Sequence, residues 1–294
     1  MVNEPVDASV TLGGLRVQYH EYGAEGAGER RPIVLLHGLA SNKRWWLLVA
    51  PLLARPFRVL ALDQRGHGES DKPDTGYDFE TVVGDLAAFA GELGLDRPVL
   101  AGHSWGGNIA LEYAATHPEA VSGVVLIDGG FMEISSRPGM TWGRAERDLA
   151  PPDLTHLTPE QIIAGAKQWE LGAIWSEDIE SALLGNFEVM EDGYIRPRLS
   201  RANHMQVVRA LWEQRPSELY ARVRCPVLFV LAERAGGGRA HDWNEMKRAA
   251  IAHAEGVLPD CRVLWLKDTI HDIPLHRPNE LAAAIEEFAT GLGG

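Results

Sequence analysis

The residue in this sequence with the best setting for covalent chemistry is a serine between two glycines. Gly102, Ser104 and Gly106 form a Gly-x-Ser-x-Gly stretch that follows the apolar residues 99–101 and precedes a segment rich in helix formers. Glycines at these positions let a strand turn sharply into a helix, so that the serine side chain projects from the turn. The N–H groups at the start of that helix favour a nearby oxyanion. The pattern predicts that Ser104 is a nucleophile, and an incidental serine in a tight turn is the simpler alternative.

The strand before the serine is one of several short apolar runs that alternate with longer segments of helical periodicity. The runs cover residues 32–36, 57–62, 98–101, 121–127, 226–231 and 262–266. Near-continuous apolar strands separated by helices predict a parallel sheet that is buried on both faces. Upstream, residues 9–22 alternate around Gly13 and Gly14, which predicts a β-hairpin. We therefore expect an α/β fold with a mostly parallel central sheet flanked by helices.

Residues 131–216 differ in pattern from the rest of the chain. Few β-type runs occur there, several prolines interrupt the segment, and its apolar residues are spaced as in helices. An insertion that leaves a parallel sheet at the carboxyl ends of its strands lies over the crevice where such sheets bind ligands. The sequence therefore predicts a helical cap, residues 131–216, inserted between strands 6 and 7 of a core domain formed by residues 1–130 and 217–294.

Three stretches together resemble the α/β-hydrolase superfamily, and the resemblance covers nearly the whole chain. They are the serine turn, the tripeptide His37-Gly38-Leu39 after a strand, and the turn of residues 63–70 after the next strand. The resemblance implies the α/β-hydrolase fold and an oxyanion hole built from the backbone N–H groups of Leu39 and Trp105. Related haloalkane dehalogenases and epoxide hydrolases carry an aspartate in place of the serine, so the serine argues against both of those chemistries.

The same resemblance implies a histidine base after the last strand. His271 lies there, between the run of residues 262–266 and a helix expected to begin near Pro278. Among the eleven histidines it has the chain order that the family requires, after both the serine and the acid. His276, about one turn further on, is the competing candidate.

The third member of the expected triad departs from the family pattern. In most of the family the acid follows the strand that corresponds to residues 227–231, and the aligned residue here is Ala235. We favour Asp128, because some members carry their acid at that strand end and because a strand end fixes its orientation. Asp242, beyond a glycine run, is the alternative acid, and Glu233 is a weaker one. The simpler interpretation of Asp128 is a structural cap at a strand end.

These residues predict acyl transfer without a metal or an organic cofactor. Ser104 attacks an acyl carbonyl, His271 takes the proton and returns it to the leaving group, and a carboxylate steadies the imidazole. Water then releases the acyl group. Large aromatic side chains after the oxyanion loop and in the cap suit an apolar acyl or alcohol group, although packing of the cap on the core is their simpler role. The pocket candidates are Trp45, Trp46, Phe131, Trp142, Trp169 and Trp175.

Composition excludes several other classes of function. The formal net charge is −13, which works against binding to nucleic acid or to an anionic membrane surface. The two cysteines, Cys225 and Cys261, have the setting of small buried hydrophobes rather than of a disulfide framework or a metal site. No apolar run is long enough to span a bilayer, and the N-terminus has neither a basic start nor an apolar stretch. We therefore expect a cytoplasmic protein whose partner is a small apolar molecule.

The main functional hypothesis is a serine hydrolase, an esterase or lactonase, that acts on a small, largely apolar ester or lactone. Carbon–carbon bond hydrolysis, cleavage after the N-terminal residue of a peptide and perhydrolysis use the same core in this family, and a fold resemblance does not choose among them. A ligand receptor that hydrolyses slowly or not at all is the alternative from a different class, because Ala235 occupies the usual position of the acid.

Overall fold

Eight strands form one sheet in the part of the chain that the computed structural model describes, residues 4–23 and 31–292. This part of the chain contains two further strands, which form a separate small sheet. In chain order the ten strands are β1 Val6–Leu12, β2 Leu15–Tyr22, β3 Ile33–Leu36, β4 Val59–Leu62, β5 Val99–His103, β6 Gly123–Ile127, β7 Phe187–Val189, β8 Ile195–Pro197, β9 Val227–Glu233 and β10 Cys261–Lys267. The large sheet has the order β1-β2-β4-β3-β5-β6-β9-β10, and β7 pairs with β8 separately. Strand β2 pairs antiparallel with β1 and β4, and the other pairs of the large sheet are parallel. The predicted mostly parallel sheet is confirmed.

Helices follow most of the strands, as the alternating pattern predicts. They are α1 Ala50–Leu53, α2 Phe79–Glu92, α3 Trp105–Thr116, α4 Trp142–Asp148, α5 Pro159–Lys167, α6 Glu177–Leu184, α7 Arg201–Glu213, α8 Pro216–Leu219, α9 Arg239–Val257, α10 Ile273–His276 and α11 Pro278–Gly291. None of the helices in the described part of the chain is long and apolar enough to cross a membrane.

Helices cover both faces of the large sheet because successive residues of its strands point to opposite sides. In β3, Val34 and Leu36 belong to one buried cluster with residues of α2 and α3. Ile33 and Leu35 belong to a second buried cluster with residues of α1 and α11. An apolar core on each face of the sheet explains why the strands are near-continuous apolar runs in the sequence.

The chain between β6 and β9 contains α4 to α8 and the small sheet of β7 and β8. The two short strands are an addition to the helices that the sequence predicts. Hydrogen bonds tie this segment to the rest of the fold; for example, Asn203 Nδ2 donates to the Tyr77 hydroxyl at 2.8 Å. The division into a core of residues 1–130 and 217–294 and a cap of residues 131–216 stays a prediction, and its outer ends lie outside the described residues.

A buried ion pair joins the segments that follow β3 and β4. Lys43 and Asp63 are almost fully buried, and Lys43 Nζ donates to Asp63 Oδ2 at 3.1 Å. Asp63 Oδ1 accepts the backbone N–H of Lys43 at 2.6 Å. Lys43 also contacts the Glu69 carboxylate, and the Glu69 backbone N–H donates to Asp63 Oδ2 at 2.8 Å. These contacts hold the segment after β3, which contains Leu39, against the turn after β4.

Replacing Lys43 by Met should lower the free energy of unfolding by about 3–5 kcal/mol, because a buried carboxylate then loses its cation. Arg44→Met is the matched control: the neighbouring Arg44 lies 3.7 Å from Glu69 at a partly exposed site, and its loss should cost less than about 1 kcal/mol. Urea unfolding followed by circular dichroism measures both values. Equal, small losses in the two variants would contradict the prediction that the buried Asp63 carboxylate depends on the Lys43 cation.

Candidate active site

Ser104 lies at the turn between β5 and α3 in a backbone conformation that side chains rarely adopt. Its φ is 53° and its ψ is −118°. The Ser104 N–H donates to Ile127 O at 2.9 Å, which ties the turn to the end of β6. A Cβ atom at Gly106 would collide with the backbone oxygen of Leu36, so only glycine lets α3 approach the end of β3 this closely. The strand-to-helix turn is therefore sharp, and its surroundings maintain the strain.

A hydrogen-bonded pair, His271 and Asp128, lies at the same edge of the sheet. His271 Nδ1 is 2.7 Å from Asp128 Oδ2. Asp128 directly follows β6 and its side chain is 2% exposed, whereas His271 follows β10 and is partly exposed. The carboxyl ends of β5, β6 and β10 meet at one edge because these strands are parallel members of one sheet. The fold therefore brings Ser104 to the same edge as two residues that lie 143 positions apart in the chain.

His103 connects the serine turn to the segment that carries His271. Its Nε2 donates to His271 O at 2.9 Å, and the centroids of the two rings are 4.8 Å apart. Burial, together with the charge of His271, lowers the pKa of His103 to about 3, so His103 is neutral near pH 7. The competing base candidate His276 has a different contact: its Nδ1 accepts the Ile270 N–H at 3.2 Å.

The other acid candidates have different surroundings. Asp242 is exposed in the first turn of α9, and within residues 4–23 and 31–292 no hydrogen bond or ion pair joins its carboxylate to His271. Glu233 pairs with Arg248, with 2.5 Å between Oε1 and a guanidinium nitrogen. Of the three acids considered, Asp128 is the one that the structure brings into contact with His271.

Lys247 of α9 is a third charged group at this edge, and it was not anticipated from the sequence. Its Nζ lies 2.5 Å from Asp128 Oδ1 and 2.8 Å from Ala232 O. The spacing of Lys247 on α9 is the feature of the sequence that indicates its buried position. Lys247 precedes the buried residues Ile251 and Ala254 with the spacing of a helix stripe that faces a core, where an apolar side chain is expected. A lysine in such a stripe indicates a buried partner of opposite charge.

The charges at this edge shift the pKa of each member in a definite direction. Burial raises the pKa of Asp128, but the hydrogen bond to His271 and the charges of His271 and Lys247 outweigh it and lower that pKa. Burial lowers the pKa of His271, but the hydrogen bond and charge of Asp128 outweigh it and raise that pKa above 6.5. Burial lowers the pKa of Lys247, although Asp128 opposes this shift. Near pH 7 Asp128 is therefore a carboxylate.

The two N–H groups expected to form an oxyanion hole belong to Leu39 and Trp105. Trp105 is the first residue of α3, and the first N–H groups of a helix have no acceptor inside it. Leu39 lies in the turn after β3, and its neighbour Gly38 packs on the serine: a Cβ atom at Gly38 would lie 3.2 Å from Ser104 Cβ. The segment that carries Leu39 therefore lies beside the serine turn, and the role of both N–H groups stays a prediction.

Two of the six residues that we expected in the substrate pocket, Trp46 and Trp169, lie elsewhere. Trp46 is 0% exposed and packs in the buried cluster with α1 and α11, so it belongs to the core and does not line a pocket. Trp169 is 78% exposed and lies on the surface. A large aromatic residue near the expected site was the only basis for both predictions, and side-chain direction is not visible in the sequence.

The other four predicted pocket residues are partly or fully buried. Trp45 and Trp175 belong to an apolar cluster in which α6 and α10 meet the segment after β3. Phe131 lines a cavity of about 280 Å³. Trp142 packs edge to face on Trp212, with 5.9 Å between ring centroids. Their assignment to a substrate pocket stays a prediction.

A mostly apolar cavity of about 350 Å³ lies between the oxyanion loop, the turn after β4 and the segment between β6 and β9. Ala40, which follows Leu39, lines it, and so does His67, whose ring stacks on Trp105 with 5.1 Å between centroids. Its apolar lining includes Leu149, Pro151, Leu154, Phe187 and Leu199. The lining contains neither Ser104 nor His271 among the described residues. In that same part of the chain, no cluster of three or more His, Cys, Asp or Glu side chains could hold a metal ion.

The chain matches a family model described as an alpha/beta hydrolase fold over residues 31–230. It is 38% identical over 127 residues to the AB hydrolase superfamily protein YisY of Bacillus subtilis (strain 168), covering 42% of this chain and 47% of YisY, about half its length. It is 27% identical over 285 residues to an N-formylmaleamate deformylase of Pseudomonas putida, covering 95% of each chain. The crystal structure of E-2-(acetamidomethylene)succinate hydrolase is similar, with a TM-score of 0.78 and 26% identity over 97% of this chain and 99% of that one.

Replacing Asp128 by Asn should lower the pKa of His271 by about 1–3 units, because the carboxylate that favours the imidazolium is lost while the Lys247 cation remains. Asp242→Asn removes an exposed carboxylate from α9 and is the matched control, which should leave the titration of His271 unchanged. NMR titration of the imidazole, assigned by the signals lost in His271→Gln, measures the shift. A larger shift in Asp242→Asn than in Asp128→Asn would contradict the observed pairing.

Proposed function

The chain belongs to the α/β-hydrolase family, and we propose that it is a serine hydrolase that cleaves a small, largely apolar carboxylic ester or lactone through an acyl-enzyme. The observation that carries the proposal is the 2.7 Å contact between His271 Nδ1 and Asp128 Oδ2, at the sheet edge where Ser104 occupies its strained turn. These residues supply a nucleophile, a base and an orienting carboxylate, in the chain order serine, acid, histidine that is typical of this fold.

In the proposed acylation step, Ser104 Oγ attacks the acyl carbonyl carbon while His271 Nε2 takes the hydroxyl proton. Asp128 accepts the Nδ1–H and thereby fixes the tautomer in which Nε2 is the free base. The bond between Oγ and the carbonyl carbon forms, and the bond from that carbon to the alcohol oxygen breaks. His271 then gives its proton to the leaving alcohol.

In the proposed deacylation step, water attacks the acyl carbon and His271 takes one of its protons. The bond to Ser104 Oγ breaks, and the proton returns to the serine. The products are a carboxylic acid and an alcohol, which remain one hydroxy acid when the substrate is a lactone. The N–H groups of Leu39 and Trp105 stabilise the oxyanion in both steps, by about 3–4 kcal/mol per donor.

The cavity of about 350 Å³ supports the apolar part of this substrate class. Ala40, the residue after Leu39, is part of its lining, so we infer that a substrate whose carbonyl oxygen lies at the oxyanion loop extends into it. Leu149 and Phe187 line it with apolar surface, and a concave apolar site with a few polar groups is the usual form of a small-molecule site. An acyl or alcohol group of a few carbon atoms fits this space.

Hydrolysis of an N-acyl amide is a second candidate, and two relatives favour it. The chain aligns over 95% of its length with a protein named for an N-formyl compound, and it has a TM-score of 0.78 with a protein named for an acetamido compound. The same steps apply when His271 protonates a leaving amine. p-Nitrophenyl butyrate and p-nitrobutyranilide carry the same acyl group on oxygen and on nitrogen. Because the ester is intrinsically more reactive, turnover of the anilide that is lost in Ser104→Ala would favour the amide candidate, and turnover of the ester alone would favour the ester or lactone.

Replacing Ser104 by Ala should reduce kcat for p-nitrophenyl butyrate by at least about 10³-fold, because the nucleophile is lost. The same variant should no longer form the covalent adduct that a fluorophosphonate leaves on the serine, which mass spectrometry of the labelled peptide detects. His271→Ala should lose activity to a similar degree, while the matched control His276→Ala should keep it. Turnover or labelling that persists in Ser104→Ala would contradict the proposed function.

The rate should fall as the pH decreases through the pKa of His271, because a protonated imidazole cannot accept the serine proton. That pKa is raised above 6.5, so half-maximal kcat/KM should lie above pH 6.5. His103, with a pKa of about 3, should add no ionisation in this range. The pH profile of kcat/KM with p-nitrophenyl butyrate measures the midpoint, and an acid limb centred below pH 6.5 would count against His271 as the paired base.

A further inference from the structure

The ammonium group of Lys247 is buried next to the pair formed by Asp128 and His271. Its side chain is 1% exposed. Nζ donates to Asp128 Oδ1 at 2.5 Å and to Ala232 O at 2.8 Å. Burying a cation is costly even when it is paired, and replacing a buried ion pair by apolar residues is often neutral or stabilising. Stability alone therefore does not explain a lysine at this position.

The two oxygens of the Asp128 carboxylate have separate partners. Oδ1 accepts from Lys247 Nζ and, at 3.2 Å, from the backbone N–H of Ala232. Oδ2 is 2.7 Å from His271 Nδ1. With Oδ1 fixed by two donors, the plane of the carboxylate is set and Oδ2 is directed at the imidazole. Without Lys247, one weak backbone contact would hold Oδ1.

Lys247 itself has a rigid support. Asn244, about one turn earlier on α9, accepts the Arg234 N–H at 3.2 Å and donates to Arg234 O at 2.9 Å. These two hydrogen bonds join α9 to the end of β9, which is the strand whose Ala232 also binds the ammonium group. The helix and the strand therefore fix the position of the cation before any substrate arrives.

The charge on Lys247 also acts on the protonation of His271. The titratable and charged groups around the imidazole are Asp128 after β6, Lys247 of α9, His103 of β5 and Asp272 of its own segment, with Glu170 and Arg234 beside Asp272. Asp128 and Asp272 favour the imidazolium, and His103 is neutral. Lys247 opposes the imidazolium, so it limits the rise in the pKa of His271 that the two carboxylates cause.

We propose that Lys247 is a positioning residue for the hydrolysis: its ammonium group orients the Asp128 carboxylate toward His271, and its positive charge opposes protonation of the imidazole before the reaction. This inference rests on the proposed function. In this proposal the buried carboxylate of Asp128 has the Lys247 ammonium group as its partner at Oδ1, and Oδ2 faces the imidazole of His271. The imidazolium that forms during the reaction is stabilised by Asp128 through Oδ2.

Replacing Lys247 by Met tests the proposal, because Met keeps the length of the side chain and removes its charge. The pKa of His271 should rise by about 1–2 units in an NMR titration. The kcat for p-nitrophenyl butyrate at pH 7 should fall about tenfold or more, with KM nearly unchanged because the Lys247 side chain is buried. Lys247→Arg, which retains the charge, should restore most of the titration shift and of the rate.

Arg248→Met is the matched control. It removes one positive charge from the adjacent position of α9, where Arg248 is partly exposed and pairs with Glu233. Neither the titration of His271 nor kcat should change in this variant. A folded Lys247→Met protein with an unchanged His271 titration and an unchanged kcat would overturn the proposal.

The titration also separates this inference from the proposed function. The NMR titration of His271 is also measured in Ser104→Ala, where no acyl-enzyme can form. It therefore shows whether Lys247 acts on His271 even if the protein cleaves no ester. Turnover that persists in Ser104→Ala would refute the proposed function alone. An unchanged titration in Ser104→Ala/Lys247→Met would refute the inference alone.

A double variant keeps the test decisive if Lys247→Met fails to fold because Asp128 is left buried without a cation. Asp128→Asn/Lys247→Met removes both charges and therefore avoids that cost. If Lys247 acts through Asp128, kcat of the double variant at about pH 8 should match that of Asp128→Asn within about threefold. A further loss of about tenfold or more would mean that Lys247 acts independently of Asp128, and would overturn the proposal.

Discussion

The hydrogen bond between Asp128 and His271 requires that β6 and β10 end at one edge of the sheet, with 143 residues between the two partners. A carboxylate that is 2% exposed loses its hydration, which is costly unless protein groups occupy its oxygens. Here the partners come from β9, from α9 and from the segment after β10. The buried carboxylate of Asp128 therefore links β9, α9 and the segment after β10 to the end of β6. The site depends on the topology of the sheet and not on one local motif.

The residues that follow the neighbouring strands β5 and β6 are among those with a strained backbone. Ser104 and Asp128 both have positive φ, at 53° and 44°. In each case the strained residue donates its N–H to the adjacent strand, since Ser104 binds Ile127 O and Asp128 binds Val230 O, each at 2.9 Å. The hydrogen-bond ladder of the sheet thus extends by one residue into the site and holds both conformations. Side chains placed in this way are oriented more rigidly than side chains on a free loop.

Much of this arrangement is visible in the sequence, because the signals for strands and for the serine turn are local. Apolar runs and glycine spacing were enough to place β3 to β6, β9 and β10 and the turn at Ser104. The strands β7 and β8 were missed because three residues carry too little pattern. The choice between Asp128 and Asp242 depended on which carboxylate points at His271, and spacing does not encode direction. For the same reason Trp46 was assigned to a pocket although it packs in the core.

The order of these elements along the chain also matters during synthesis. Asp128 is made 119 residues before Lys247 and 143 residues before His271. Until those segments are made, the Asp128 carboxylate lacks its partners Lys247 and His271, and burying it beside β6 is costly. The free edge of β6 is a strand without its neighbour, and such edges invite pairing with other chains. A charged side chain at an open strand edge disfavours such pairing, so the carboxylate that orients the base in the complete fold also stands at the edge where β9 pairs with β6.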